Sequence, residues 1–184
     1  MTELNKMLSG QMYDPGDPQL SQMRLKCREQ MDLYNNAQPS QDCLRDEILR
    51  NLLGSMGKKI KIEPPLHCDY GCHIHLGDDV YMNFNCVLLD CAEIRIGDGT
   101  LIGPGVQFYA ATHPVDAQER KTGLELAGPI TVGKNCWIGG GAIILPNVSI
   151  GDNTTIAAGS VVTKDVPENV VAAGNPCKVI RELR

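Results

Sequence analysis

Val132, Ile138, Ile144, Ile150, Ile156 and Val162 stand six residues apart without a break. Four residues after each comes a small or medium side chain: Cys136, Ala142, Val148, Thr154, Ser160 and Val166. The residue directly after is Gly133, Gly139, Gly151 or Ala157, with Leu145 and Thr163 as exceptions. A period of six is neither the 3.6 of a helix nor the alternation of a half-buried strand. A helix would need apolar residues at spacings of three and four, and here the residue at four is often polar. The period fits a short strand and a turn, repeated, with the aliphatic side chain inside and Gly or a polar residue at the corner.

The pattern extends upstream through Leu76, Met82, Leu88 and Ile94. A two-residue shift follows, and Ile96, Ile102 and Phe108 resume it. Val80, Cys86, Ala92, Thr100, Val106 and Thr112 hold the places four residues on. Such a period demands a parallel β-helix, in which each coil stacks on the last at ~4.8 Å. Stacked aliphatics then form the core, which accounts for an aromatic content of only 4%.

The rest of the chain divides around this repeat. Residues 1–58 read as a helical segment. Ser21 to Asn35 has apolar residues at Met23, Cys27, Met31 and Tyr34, and a second helix starts at Ser40, a candidate N-cap, and carries Leu44, Ile48 and Leu52 to Gly54 or Gly57. Residues 59–169 form the β-helix, interrupted at His113 by a projecting loop, 114–129, before the period restarts at Val132. A loop of that size in a regular solenoid is a projection of the kind that is usually functional or disordered. Residues 170–184 are a tail: a strand over Val170 to Ala173, a turn at Gly174-Asn175-Pro176, and a basic end with Lys178, Arg181 and Arg184.

Several classes are argued against. With 22 acidic against 17 basic residues the net charge is -5, which argues against a nucleic-acid partner, because such a surface usually shows as a basic excess. No apolar run approaches the length of a membrane span, and Met1-Thr2-Glu3-Leu4-Asn5-Lys6 is too polar for a signal peptide. The expected address is the cytoplasm, where the eight cysteines read as small buried apolar residues. His67, Cys68, Cys72, His73 and His75 suggest zinc at first sight. Neighbouring positions on a solenoid point to opposite sides and the spacings match no four-ligand site, so no metal is expected.

Tyr81-Met82-Asn83-Phe84-Asn85, Ala111-Thr112-His113-Pro114, Gly128-Pro129-Ile130, Trp137 to Ala142, Gly159 to Pro167 and Ala173-Gly174-Asn175-Pro176 together resemble the hexapeptide-repeat acyltransferases, in particular the sugar O-acetyltransferases of the maltose and galactoside type. The opening, from Met1 to Asp14, resembles that family's N-terminal helical part, so the resemblance spans essentially the whole chain. It implies a mainly β fold, a left-handed parallel β-helix of triangular coils behind an N-terminal helical segment. It implies a homotrimer with active sites at subunit boundaries. It implies acetyl-CoA as co-substrate, with no permanently bound cofactor, and a small sugar as acceptor, of the maltose or glucose type.

Acetyl transfer from a thioester to a hydroxyl needs a base, donors for the developing oxyanion and a groove for the acyl carrier. His113 is the candidate base: imidazole titrates near neutral pH, and this one opens the loop where the repeat breaks. By resemblance Asn83 contacts the thioester or the sugar, with Asn85 the more natural corner residue. Gly140, Ala158, Thr163, Lys164, Lys178 and Arg181 correspond to the family's acetyl-CoA contacts. Asp14, Asp69, Tyr81, Asp90 and Glu125 are candidates for acceptor binding, although Cys91 stands where galactoside-type relatives carry a second acid beside Asp90. Two other functions fit the same solenoid: a metal-dependent hydratase of the carbonic-anhydrase type, which would use several histidines, and a non-catalytic binding scaffold, which would not need the His113 loop.

Overall fold

The computed structural model describes residues 1–183; Arg184, the last residue of the basic end, lies outside the described residues. The repeat builds three parallel sheets of five, seven and five strands, the faces of a triangular prism. The first face stacks Ser55–Met56, Ile74–Leu76, Ile94–Ile96, Ile130–Val132 and Ser149–Ile150. The second stacks Lys61–Ile62, Tyr81–Met82, Leu101–Ile102, Trp137–Ile138, Thr155–Ile156 and Val170–Ala173, closed by Lys178–Glu182 running antiparallel. The third stacks Leu66–Cys68, Cys86–Leu89, Gln107–Tyr109, Ile143–Ile144 and Val161–Val162.

The six-residue period is one face plus one corner. Its inward residues form ladders: Leu76, Ile96, Val132 and Ile150 on the first face, Met82, Ile102, Ile138 and Ile156 on the second, Leu88, Phe108, Ile144 and Val162 on the third, all buried. Burying each such side chain contributes roughly 1.5–3 kcal/mol, and the parallel ladders absorb the backbone polar groups. The residues four places on plug the corners. Thr100 is fully buried there, donating to the Gly133 carbonyl and accepting from the Cys136 N–H. At the corner between the first and second faces one position recurs in the left-handed backbone region: Lys59, Asp79, Gly99, Asn135, Asn153 and Asn169, with φ from 53° to 67°. Asn, Asp and Gly tolerate that region best, which is why they recur at that place.

The two-residue shift in the sequence is a change of coil length. Leu76 pairs with Ile96 and Met82 with Ile102, steps of 20 residues, whereas Val132 pairs with Ile150 and Ile138 with Ile156, steps of 18. The extra pair of residues lies between Leu88 and Ile96, at the corner joining the third face to the first. The next coil, from Ile96 to Val132, takes 36 residues because an arm leaves the prism at that same corner. Thr112, expected at a core position, is therefore exposed: the chain has already left the coil, and Ala110 is the fully buried residue instead. The arm's two stems, Ala111–Thr112 and Leu126–Ala127, pair antiparallel, with a short helix, Ala117–Arg120, at its tip.

The helical segment holds α1 (Glu3–Leu8), α2 (Pro18–Asn36) and α3 (Asp42–Leu52). Helix α2 begins three residues before the expected Ser21, because Asp17 caps the N–H groups of Gln19 and Leu20 and Pro18 takes the first turn. Helix α3 is preceded by Gln41 with no side-chain cap, not by a capping Ser40. Leu20, Cys27, Met31 and Tyr34 of α2 are buried against the open end of the prism. There Tyr34 donates to the Ile62 carbonyl at 2.6 Å, and the Asn35 amide exchanges two 2.8 Å bonds with the backbone of Leu66. These side chains stand in for the missing next strand and blunt the edge. The ladders start at Ser55, ahead of the expected start at 59, and run through Val170–Ala173, which pairs parallel with Thr155–Ile156. No helix among the described residues is long and apolar enough to cross a membrane.

Candidate active site

A cavity of about 360 Å³ opens at the corner where the arm leaves the prism. It is lined by Pro15 and Arg24 from the helical segment, Asp69, Tyr70, Leu89 and Cys91 from the first two coils, and Ala111, His113 and Glu125 from the arm. His113 sits just past the first arm stem, its side chain 59% exposed, so solvent-borne substrate can reach the ring. Its Nε2 lies 3.9 Å from Glu125 Oε1. Asp69 faces the same space, and burial raises its carboxyl above the usual range. Cys91 points its sulfur at Asp69 Oδ2, 3.6 Å away. Burial, reinforced by the Asp69 charge, pushes the Cys91 thiol up to about 12, so it is a neutral thiol and not a ready nucleophile. Arg24 donates to the Tyr70 hydroxyl at 2.7 Å and to the Pro15 carbonyl at 2.5 Å, tying α2 to the cavity wall.

The expected acceptor residues therefore separate. Asp69 and Glu125 line the cavity; Asp14, Tyr81 and Asp90 do not. Asp14 closes its own turn, its Oδ1 accepting from the Gly16 N–H at 2.8 Å, and Pro15 reaches the cavity in its place. Tyr81 is on the second face, between Lys61 and Leu101. Asp90 is a correction: it is fully buried, not presented to a ligand. Its Oδ1 accepts from the N–H groups of Asp69 and Tyr70 at 3.0 and 2.8 Å, and Oδ2 from that of His73 at 3.3 Å. Burial raises its carboxyl against the pull of those donors, and the carboxylate serves the widened coil.

A second group of expected residues gathers elsewhere. Asn83, Gly140 and Ala158 lie at the corner between the second and third faces, with the Gly103–Gly105 coil between Asn83 and Gly140. Asn83 Oδ1 accepts from the Phe84 N–H at 2.8 Å, which leaves its amide NH2 to donate outward. Among the described residues the N–H groups of Gly140 and Ala158 have no partner. Asn85 is the corner residue, at φ 61°. Each glycine of the run has its own structural reason. A Cβ on Gly139 would fall 2.4 Å from the Ala158 nitrogen, one on Gly140 3.1 Å from the Pro104 carbonyl oxygen, and Gly141 has φ 67°. Lys178 pairs with Ala173 near this corner, and Arg181 pairs with Val171 farther along the strand; both are exposed. Thr163 and Lys164 are at the other edge of the third face, on the His113 corner, exposed.

The histidines do not assemble. His73 is buried with Nδ1 2.8 Å from the Asp90 carbonyl, His75 pairs with Glu93 on the first face, and His67 is exposed on the third. Among the described residues no group of three or more His, Cys, Asp or Glu is placed to hold a metal ion.

Arg24 was not expected. Its signal was present: it stands on the apolar stripe of α2, four residues after Leu20 and three before Cys27, where a charged residue is out of pattern. Tyr13, which bonds Glu125 across 112 residues, had no signal short of the fold.

Known proteins show the same arrangement of parts. Residues 6–57 match the family described as maltose acetyltransferase hexapeptide capping motif, and residues 129–164 match bacterial transferase hexapeptide (six repeats). The galactoside O-acetyltransferase of Escherichia coli is 41% identical over 100% of this chain and 89% of its own. The crystal structure of a maltose O-acetyltransferase from Clostridium difficile superposes with a TM-score of 0.99 at 48% identity, covering 100% of this chain and 98% of that one. A galactoside acetyltransferase in complex with coenzyme A superposes with a TM-score of 0.97 at 40% identity, covering 100% and 92%.

Proposed function

The chain belongs to the hexapeptide-repeat sugar O-acetyltransferases, and on that premise we propose that it moves the acetyl group of acetyl-CoA directly onto a hydroxyl of a maltose- or glucose-type sugar, with His113 as general base. It is an acetyltransferase, and acetyl-CoA is its co-substrate rather than a resident cofactor. His113 takes the proton of the acceptor hydroxyl as its oxygen attacks the thioester carbon. The carbon–sulfur bond then breaks, and the proton passes from the imidazole to the departing thiolate. Asp69 and Glu125, the carboxylates of the 360 Å³ cavity, hold the acceptor.

The observation that carries this reading is the separation of two half-sites. The base, with Thr163 and Lys164, is on the corner between the third and first faces; the donors Asn83, Gly140 and Ala158, with Lys178 near them, are on the corner between the second and third. One copy cannot bring its own two corners together, because a whole sheet lies between them. Cyclic packing of three prisms can, by setting one copy's first half against the next copy's second. This separation supports a homotrimer with sites between subunits. The Asn83 amide and the Gly140 N–H then face the thioester oxygen as it becomes an oxyanion, and the basic residues take the coenzyme's phosphates.

Mixing separates a shared site from a private one. His113→Ala and Asn83→Ala, each weak alone, are unfolded, combined in equal amounts and refolded together. With random assembly about a quarter of the sites receive both intact halves, and thiol release from acetyl-CoA recovers to about that level. No recovery, or a sedimentation mass of one chain, overturns the shared site. Turnover with no hydroxylated acceptor in a screen of maltose, glucose and galactosides overturns the acceptor class.

A further inference from the structure

Among the described residues Tyr13 is the one tyrosine whose hydroxyl bonds the carboxylate facing the His113 imidazole. It is 1% exposed, and its hydroxyl donates to Glu125 Oε2 at 2.8 Å. The contact is held from below. The Tyr13 N–H donates to the Glu125 carbonyl and the Glu125 N–H to the Tyr13 carbonyl, both at 3.0 Å, so the N-terminal segment adds an antiparallel bridge to the arm. Backbone and side chain together leave Glu125 little freedom. With Oε2 engaged, the other oxygen, Oε1, is the one turned toward His113 Nε2 at 3.9 Å. The remaining polar groups of this space are Arg24 from α2, Asp69 and Tyr70 after the Leu66–Cys68 strand, and Cys91 after Cys86–Leu89, whose thiol lies beside the Tyr13 hydroxyl. Among the described residues none of these lies within 4 Å of a ring nitrogen as a charged partner, whereas the Glu125 carboxylate does.

When His113 takes a proton it becomes an imidazolium, and a carboxylate within about 4–6 Å favours that charged form. The benefit depends on where the carboxylate points, because His113 is itself exposed and nothing else fixes the pair. We infer that Tyr13 is a positioning residue for the reaction: its hydroxyl locks the Glu125 carboxylate in the orientation that serves His113 in the transition state, so the N-terminal segment belongs to the catalytic apparatus and not only to the cap of the prism. The inference rests on His113 as general base.

The experiment uses Tyr13→Phe, which keeps the ring and its packing and removes only the hydroxyl, with Glu125→Gln, the double variant, and Tyr13→Phe in a His113→Ala background. Tyr13→Phe is expected to lower kcat about tenfold, the effect of losing one hydrogen bond to a charged group, with the KM for acetyl-CoA unchanged. The double variant is expected to be no slower than Glu125→Gln alone, because the hydroxyl then has no carboxylate to orient. In the His113→Ala background Tyr13→Phe should leave the residual turnover unchanged. A purely structural role would still reduce that residual rate, and would overturn the inference. So would losses that multiply in the double variant, or a Tyr13→Phe enzyme within twofold of the parent. Failure of the base itself reads out separately, as normal turnover in His113→Ala alone.

Discussion

The corner that carries His113 and the corner that carries Gly140 belong to the same coils, yet the chain builds them differently. Between the second and third faces, Asn83–Asn85, Gly103–Gly105, Gly139–Gly141 and Ala157–Gly159 turn with no insertion. Between the third and first faces the turn is widened around Asp90 and Cys91, and the next coil throws out the arm. Parallel ladders stay in register whatever the length of a corner, so insertions cost the core little there. Among the described residues the regular corner presents unpartnered backbone N–H groups on two neighbouring coils, at Gly140 and Ala158, which suits an extended acyl donor. The irregular corner brings together side chains of unlike acidity from distant segments, which proton transfer requires.

Removing the proposed base gives the largest contrast between the two. General-base assistance is typically worth ~10²–10⁴ in rate, so His113→Ala should lower kcat by about that factor. Equilibrium binding of acetyl-CoA should persist, because the other corner is untouched. Normal turnover in the purified variant would move the base elsewhere.

The next contrast is in stability. Asp90→Ala leaves the N–H groups of Asp69, Tyr70 and His73 buried without their acceptor, and at ~1–3 kcal/mol for each orphaned group the thermal midpoint should fall steeply. Gly139→Ala should be severe too, because its Cβ meets backbone at 2.4 Å. Gly123→Ala, at φ 78° in the arm with nothing within 4 Å, carries only the left-handed penalty, about 1–2 kcal/mol. Calorimetry that ranks Gly123→Ala above either of the others would contradict the distinction between packed coil and free arm.

Smaller effects are expected of the exposed basic residues. If Lys164, Lys178 and Arg181 hold the coenzyme's phosphates as proposed, their replacement by Ala removes contacts that are nearly equal in the ground and transition states. The KM for acetyl-CoA should rise about threefold to tenfold with kcat kept. A loss confined to kcat would place them at the reacting centre instead.

The smallest effect reports on the cavity wall. Burial raises the Asp69 carboxyl, so the folded state binds its proton more tightly than the unfolded chain does. The penalty is present above the folded pKa and vanishes below the ordinary carboxylate value. Asp69→Asn should therefore raise the thermal midpoint slightly at neutral pH, with the gain shrinking as the pH falls into the carboxylate range, while the acceptor KM increases. A gain that does not depend on pH would assign the effect to something other than that charge.

The same contrast explains what could be read in advance. The inward ladders were legible because each coil buries the same position, and the period repeats the physical demand. The departure of the arm at His113 was legible because it marks the end of that period. Asp90 misled, since a carboxylate followed by Cys91 at a break in the repeat looks the same whether it faces a ligand or caps buried N–H groups. The run Gly139–Gly141 is constrained one residue at a time, by inter-coil contact, a close carbonyl and a positive φ.

By itself the sequence determined the solenoid, the position of the arm and the helical cap, because those follow from short-range periodicity and from where apolar residues recur. Only the tertiary structure decided which polar residues share a cavity. Tyr13 meets Glu125 from 112 residues away, and Arg24 meets Tyr70 from 46. No local pattern encodes such pairs; they exist because the cap, the widened coils and the arm converge on one corner of the prism.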